Sequence, residues 1–196
     1  QESRGLGDVY KRQVKAGGFC LLPVWVTGGI HLDGYADTCD ALSSYGGREK
    51  KLEILKDPHC GAFAVIRLCS YFLAYFALCT AVQFTPHTGL LWALALVLER
   101  ALSGLAVAAF PMAKNTGLAH TFASAADRAT VRRVLALLAA VLCCAMLALG
   151  GWALVLAALA VLWRYHAVAC KQFGGITGDL AGWFLQKTEI WMLAAL

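Results

Sequence analysis

The sequence predicts an all-α, polytopic membrane helix bundle with about five to six transmembrane or membrane-embedded helices. Three observations predict it. Of the 196 residues, 60% are hydrophobic and 15% charged, with a mean hydropathy of +0.64, more apolar surface than one soluble core of this length needs. The apolar residues fall in long runs, several close to the length that crosses a bilayer. The formal net charge of +5 sits between those runs, a topology signal rather than a basic nucleic-acid-binding surface, and no nucleic-acid partner is expected. Eight cysteines without framework spacing argue against a disulfide scaffold, and the low polar content argues against disorder.

Taken in order, residues 1–13 (QESRGLGDVYKRQ) are polar, Gly-interrupted and without a hydrophobic period. Their run GLGDVYKRQ resembles translated adapter read-through, so they are expected to be non-native. Residues 14–196 are then a single integral-membrane domain whose native start is missing. Residues 16–30 are apolar but too short to span and read as the tail of a helix. Residues 61–82 are a strong span, with Arg67 near one end where it can snorkel to the interface. Residues 89–112 are a second, broken at mid-depth by Glu99-Arg100. Residues 134–149 and 152–170, separated by Gly150-Gly151, read as an antiparallel hairpin, and 180–196 is a weaker segment interrupted by Gln186, Lys187 and Glu189.

Loop charge assigns sides. Residues 31–58, 113–133 and 164–179 carry Lys and Arg, whereas 83–88 and 150–151 carry no charged residue. By the positive-inside rule the charged loops are cytoplasmic, in a cell inner membrane, and every chemistry-bearing cluster falls on that one face.

The densest cluster is GGIHLDGYADTCD (28–40), with Asp33, Asp37 and Asp40 at i, i+4 and i+7. On a helix these share a face and repel one another. A bound divalent cation is the usual way such charge is neutralised, and hard oxygen donors favour Mg²⁺. The alternative is a solvated acidic face. In KDPHCGAF (56–63), Asp57 is either a further ligand or the start of an Asp-Pro turn. Without CxxC or HxxxH, the histidines and cysteines read as ordinary packing residues. Glu99-Arg100 marks either a site or a structural ion pair. In KQFGGITGDLAGW (171–183), Gly174, Gly175 and Gly178 permit close backbone approach, and Asp179 either caps the next helix or binds a cation. No Walker A or dinucleotide pattern is present.

GGIHLDGYADTCDAL (28–42), KDPHCGAF, FPMAKNTGLAHTF (110–122) and GGITGDLAGW (174–183) together resemble the cobalamin synthase family, adenosylcobinamide-GDP ribazoletransferase, over about residues 24–196 in collinear order. The resemblance implies an Mg²⁺-dependent membrane enzyme that joins adenosylcobinamide-GDP to α-ribazole or its 5′-phosphate and releases GMP. His31, Asp33, Gly34, Asp37 and Asp40 match that family's first motif; Lys56, Asp57 and Gly61 its second; Gly178 and Asp179 its third. Arg100 transfers and Glu99 does not. Lys114 stands where an Arg is common, and Tyr35 where a Leu is usual.

On this resemblance Asp33, Asp37, Asp40, Asp57 and Asp179 are the expected metal ligands, and Asp40 and His31 the catalytic candidates. Arg100, Lys114 and Lys56 are expected to meet phosphates, with Gly178 giving backbone approach. Such a phosphoryl transfer asks mainly for positioning and charge neutralisation. Two alternatives remain: a CDP-alcohol type phosphotransferase, although the second half of that signature is absent after Asp40, and a small transporter, although the halves show no hydropathy repeat. The lipid bilayer is an expected partner, and homo-oligomerisation is open.

Overall fold

The structure is a computed structural model that describes residues 2–113 and 127–196. Helix α1 (Glu2–Thr27) ends at Gly28 and Gly29, whose φ angles of 64° and 80° lie in the left-handed region that glycine enters at little cost. That break turns the chain into α2 (Ile30–Ser43). A short α3 (Arg48–Ile54) follows, then α4 (Ala62–Ala81), α5 (Pro86–Ala109), α6 (Arg128–Ala148), α7 (Trp152–Val168) with a π-turn at Ala169–Phe173, and α8 (Gly178–Ala195). The described residues hold no strand, only a single parallel bridge between Met112 and Ile176.

Helices α4, α5 and α6, together with α7 and its π-turn, are long and apolar enough to cross a membrane. The chain is a polytopic helical membrane protein, as its composition predicts. Local signals moved the boundaries. Thr85 accepts from the Thr88 amide at 3.2 Å while Thr88 accepts from the Thr85 amide at 2.8 Å, and this reciprocal cap with Pro86 behind it starts α5 before residue 89. Asp127 accepts from the Ala129 amide at 3.1 Å and from the Thr130 hydroxyl at 2.6 Å, so the basic residues Arg128, Arg132 and Arg133 join α6 rather than a loop. Among the described side chains of α1 the first buried is Ala16, and Phe19 stacks on Phe84 at 4.8 Å.

The weak segment at 180–196 is the centre of the bundle. Helix α8 packs on α2, α7, α5 and α4, and Phe184, Thr188, Glu189, Met192 and Leu193 are all buried. Its buried acid finds a partner there: the Tyr75 hydroxyl of α4 donates to Glu189 Oε1 at 2.8 Å. A hydropathy window ranks lipid-facing helices highest and undervalues such a helix.

The bundle has two distinct ends. At one, His87 meets the Leu149 carbonyl at 3.0 Å, joining the two uncharged turns. At the other, the Ile176 amide donates to the Pro111 carbonyl at 2.8 Å and the Ala113 amide to the Ile176 carbonyl at 2.9 Å. The acids of α2 and the first turn of α8 gather there.

Candidate functional site

The site grows from α2. Its acids lie on one strip: Asp33 is exposed, Asp37 and Asp40 are half-buried, and Tyr35, Ala36, Thr38, Cys39 and Ala41 are buried in the bundle. Two glycines let α8 approach that helix. A Cβ on Gly34 would stand 2.8 Å from Asp179 Cα, and one on Gly182 would stand 2.8 Å from the His31 carbonyl oxygen. Hydrogen in place of a methyl at both points is what brings the first turn of α8 alongside the acidic strip.

The consequence is electrostatic. Burial first, then the charges of Asp33, Asp179 and Asp40, push the Asp37 carboxyl up to about 6 from its ordinary 3.8. Four carboxylates from two helices therefore act on one another. Asp179 is not the cap of α8: Thr177 is, accepting from the Leu180 amide at 3.2 Å, while its hydroxyl lies 3.4 Å from Asp179 Oδ2. Asp179 stands in the first turn, oriented by its neighbour.

The second motif lies on the loop that leads into α4. Asp57 accepts from the His59 amide at 3.0 Å and pairs with the His59 ring at 2.7 Å, which holds its carboxyl below the usual range. It is an exposed Asx turn on the loop before α4, and with Lys56 and Lys50 it lines a shallow cavity of about 280 Å³. The residue of this loop that touches the acidic strip is Gly61, where any side chain would overlap the Asp40 carboxylate.

Arg100 is half exposed and ion-paired with Glu99, and also donates to the Leu96 carbonyl at 3.0 Å. Glu99 itself is fully buried, and its Oε2 has no hydrogen-bond partner among the described residues. Burial and then the Arg100 charge lower the His31 pKa, so His31 at the head of α2 is near this arginine and favours its neutral form. Gly178 is exposed, and a Cβ there would meet nothing within 4 Å, which leaves room for a ligand against the backbone. Lys114 lies outside the described residues.

Two cations were missed as site residues because in the sequence they counted only toward loop charge. Any side chain at Gly174, whose φ is 74°, would overlap the Arg48 guanidinium, so the glycine loop wraps this arginine. Lys51, buried in α3, donates to Gln172 Oε1 in the π-turn at 2.5 Å and fastens α3 to the same loop. The Gly174 and Gly175 pair was the available signal.

Chemically, this end of the bundle presents hard carboxylate oxygens and the open Gly178 backbone, with Arg100 near His31 and Arg48 against Gly174. Among the described residues no three Asp, Glu, His or Cys side chains converge as a ready-made metal cage. Carboxylate oxygens are the donor chemistry that Mg²⁺ takes, one or two at a time, with water and phosphate oxygens completing its octahedron.

Comparison with known proteins places the chain. A family model described as cobalamin-5-phosphate synthase matches residues 5–196. The chain belongs to the cobalamin-5-phosphate synthase family. Among family relatives, the adenosylcobinamide-GDP ribazoletransferase of Lachnoclostridium phytofermentans is 45% identical over 172 residues, covering 86% of this chain and 65% of that protein. The chain therefore spans just under two thirds of that relative's length. The enzymes of the same name from Pseudomonas putida GB-1 and Pseudomonas savastanoi pv. phaseolicola are 37% and 36% identical over 90% of this chain, covering 72% and 73% of their own lengths. No solved structure matches the chain. Membership of the cobalamin-5-phosphate synthase family takes precedence over the CDP-alcohol and transporter alternatives.

Proposed function

We propose that this chain is an adenosylcobinamide-GDP ribazoletransferase that transfers adenosylcobinamide phosphate from its GDP ester to α-ribazole or α-ribazole 5′-phosphate. The observation that carries the reading is the convergence of Asp33, Asp37, Asp40 and Asp179 on one face, with Asp37 pushed up to about 6 by its burial and its neighbours' charges. A site that crowds carboxylates into mutual repulsion is suited to a cationic ligand and to the phosphates that such a cation bridges.

In the reaction a ribose hydroxyl oxygen bonds to the cobinamide-side phosphorus, the bond from that phosphorus to the GMP oxygen breaks, and the hydroxyl proton leaves to a base. Mg²⁺, when bound, supplies neutralisation of phosphate charge and alignment of the in-line oxygens. Asp33, Asp37 and Asp179 are the residues that would hold it, with Asp40 either a further ligand or the base. Arg100 and Arg48 offer guanidinium forks to phosphate oxygens, and the Gly178 backbone leaves room for the same groups. His31, neutral near Arg100, is suited to accept a proton. Lys56 and Asp57 sit on the rim, where they meet the entering nucleotide. The basic loops at this end favour a cytoplasmic site in a cell inner membrane.

The test is to incubate membranes carrying the protein with adenosylcobinamide-GDP and α-ribazole or its phosphate, with and without Mg²⁺, and to assay cobalamin product and GMP. Mg²⁺-dependent formation of both is expected. No conversion under conditions where a full-length relative converts overturns the proposal for this chain.

A further inference from the structure

A second, larger cavity of about 700 Å³ lies away from the acidic strip. It opens between α4 and α7, and α2 and α8 form its back. Its walls carry three cations, Arg67 of α4, Arg164 of α7 and Lys187 of α8, together with Trp183 and Trp191, and among the described residues no carboxylate lines it. None of the three cations forms an ion pair with a carboxylate among the described residues. Lys187 is held 5.7 Å from the centre of the Tyr35 ring.

The location makes this unusual. Arg67 and Arg164 both belong to helices apolar enough to cross a membrane. At about 1.5 Å per residue, Arg67 stands about 8 Å inside the start of α4 and Arg164 about 6 Å before the end of α7. Unpaired charge inside the ends of such apolar helices is costly and marks a site by default. A single arginine there can snorkel to water. Three cations from three helices turned into one groove need an anion in common. The groove lies against two helices apolar enough to cross a membrane, and its tryptophans are of the kind that settles at the membrane interface. The wall contributed by α7 is apolar at Ala157, Ala160 and Val161, which suits acyl chains better than a soluble nucleotide.

We propose that the groove bounded by Arg67, Arg164 and Lys187 binds the phosphate headgroup of an anionic phospholipid, with its acyl chains against α4 and α7. Its ligand is distinct from the substrates of the acidic site, and its occupancy is read independently of transferase activity.

The test extracts the full chain into detergent, adds dioleoyl phosphatidylglycerol or dioleoyl phosphatidylcholine, and counts bound lipid by native mass spectrometry. The wild-type chain should retain phosphatidylglycerol at least about tenfold better than phosphatidylcholine, and Arg67→Gln, Arg164→Gln and Lys187→Gln should each weaken retention about fivefold, or about a hundredfold combined, as expected for three juxtamembrane cations. Arg164→Lys should keep most of it, which separates lost charge from lost fold, and circular dichroism verifies each variant. Equal retention of both lipids, or full retention by the folded single variants, overturns the proposal. Displacement of the lipid by inorganic phosphate or GMP also overturns it and makes the groove a substrate-phosphate subsite. A dimer that dissociates on the same substitutions, with lipid retention unchanged, overturns it in favour of a second copy.

Discussion

Helices α6 and α8 are similar in length and opposite in role. Of the 21 residues of α6 only Ala139, Leu142 and Met146 are buried, and its best window has a mean hydropathy of 2.1. Ten of the 18 residues of α8 are buried, among them Gln186, Thr188 and Glu189. The helix that looks most like a membrane span is the less enclosed of the two, and the helix that looks least like one is enclosed by the bundle beside the acidic strip. Apolarity along a membrane helix reports what surrounds it. Where protein surrounds it, polar side chains are affordable provided each has a partner.

The comparison is tested hardest at the acids. Asp37→Asn and Asp179→Asn should each lower transferase activity at least about a hundredfold, the scale on which removing one charge-stabilising group acts, while the protein still extracts as a folded species. Leu137→Ala on the exposed face of α6 should leave product formation unchanged and shift stability by less than about 0.5 kcal/mol. Full activity in both Asn variants would break the assignment of α8 as the site helix and of the acids as the charge cluster.

Packing comes next. Gly182→Ala places a methyl 2.8 Å from the His31 carbonyl oxygen, where backbone must move. A loss of about 1–3 kcal/mol is expected, and displacing α2 by even about 1 Å should cost a further loss of activity on the order of a hundredfold. Gly89→Ala, in the first turn of α5 with nothing within 4 Å of the added methyl, should instead stabilise by about 0.5–1 kcal/mol. Thermal unfolding in detergent reads both, and a tolerated Gly182→Ala would mean that the α2–α8 approach is looser than the glycines imply.

The buried polar pair of α8 is a smaller effect. Tyr75→Phe removes the donor to Glu189 Oε1 and leaves a buried carboxyl oxygen unsatisfied, for a loss of about 1–3 kcal/mol. Unchanged unfolding would show that Glu189 has water or another donor available, and that α8 is less enclosed than its burial indicates.

These residues also show what the sequence could reveal. The acidic strip was legible because i, i+4 and i+7 spacing needs only helical geometry, and the spans because hydropathy needs only composition. The position of α8 was not, since a linear window averages Gln186 and Glu189 into their apolar neighbours without knowing what they face. Asp179 looked like a cap because caps are local, yet Thr177 two residues earlier does that work and leaves Asp179 to the site. Asp57 matched a motif, but its nearest partner is His59, a contact set by the Asp-Pro turn. Arg48 was invisible as a site residue because its meeting with Gly174 joins positions far apart in the chain.

The finest test concerns Asp37 alone, in the protein without divalent cations. Its carboxyl titrates near 3.8 when unfolded and about 6 when folded, so the folded state holds the proton more tightly. The sign follows: this residue's contribution to stability is fully present below pH about 4 and is lost as pH rises through about 6. Asp37 is partly exposed and solvent screens its neighbours, so the expected loss is on the order of 1 kcal/mol. Asp37→Asn should remove that part of the pH dependence and, above pH about 6, be more stable than wild type by a similar amount. Adding Mg²⁺ should close the gap by stabilising wild type more than the variant. An Asn variant that is less stable than wild type at neutral pH without metal would mean that the ionised Asp37 is held by a donor rather than strained by its neighbours. The contrast with α6 would then rest on packing alone, because α6 buries no charge whose removal could stabilise it.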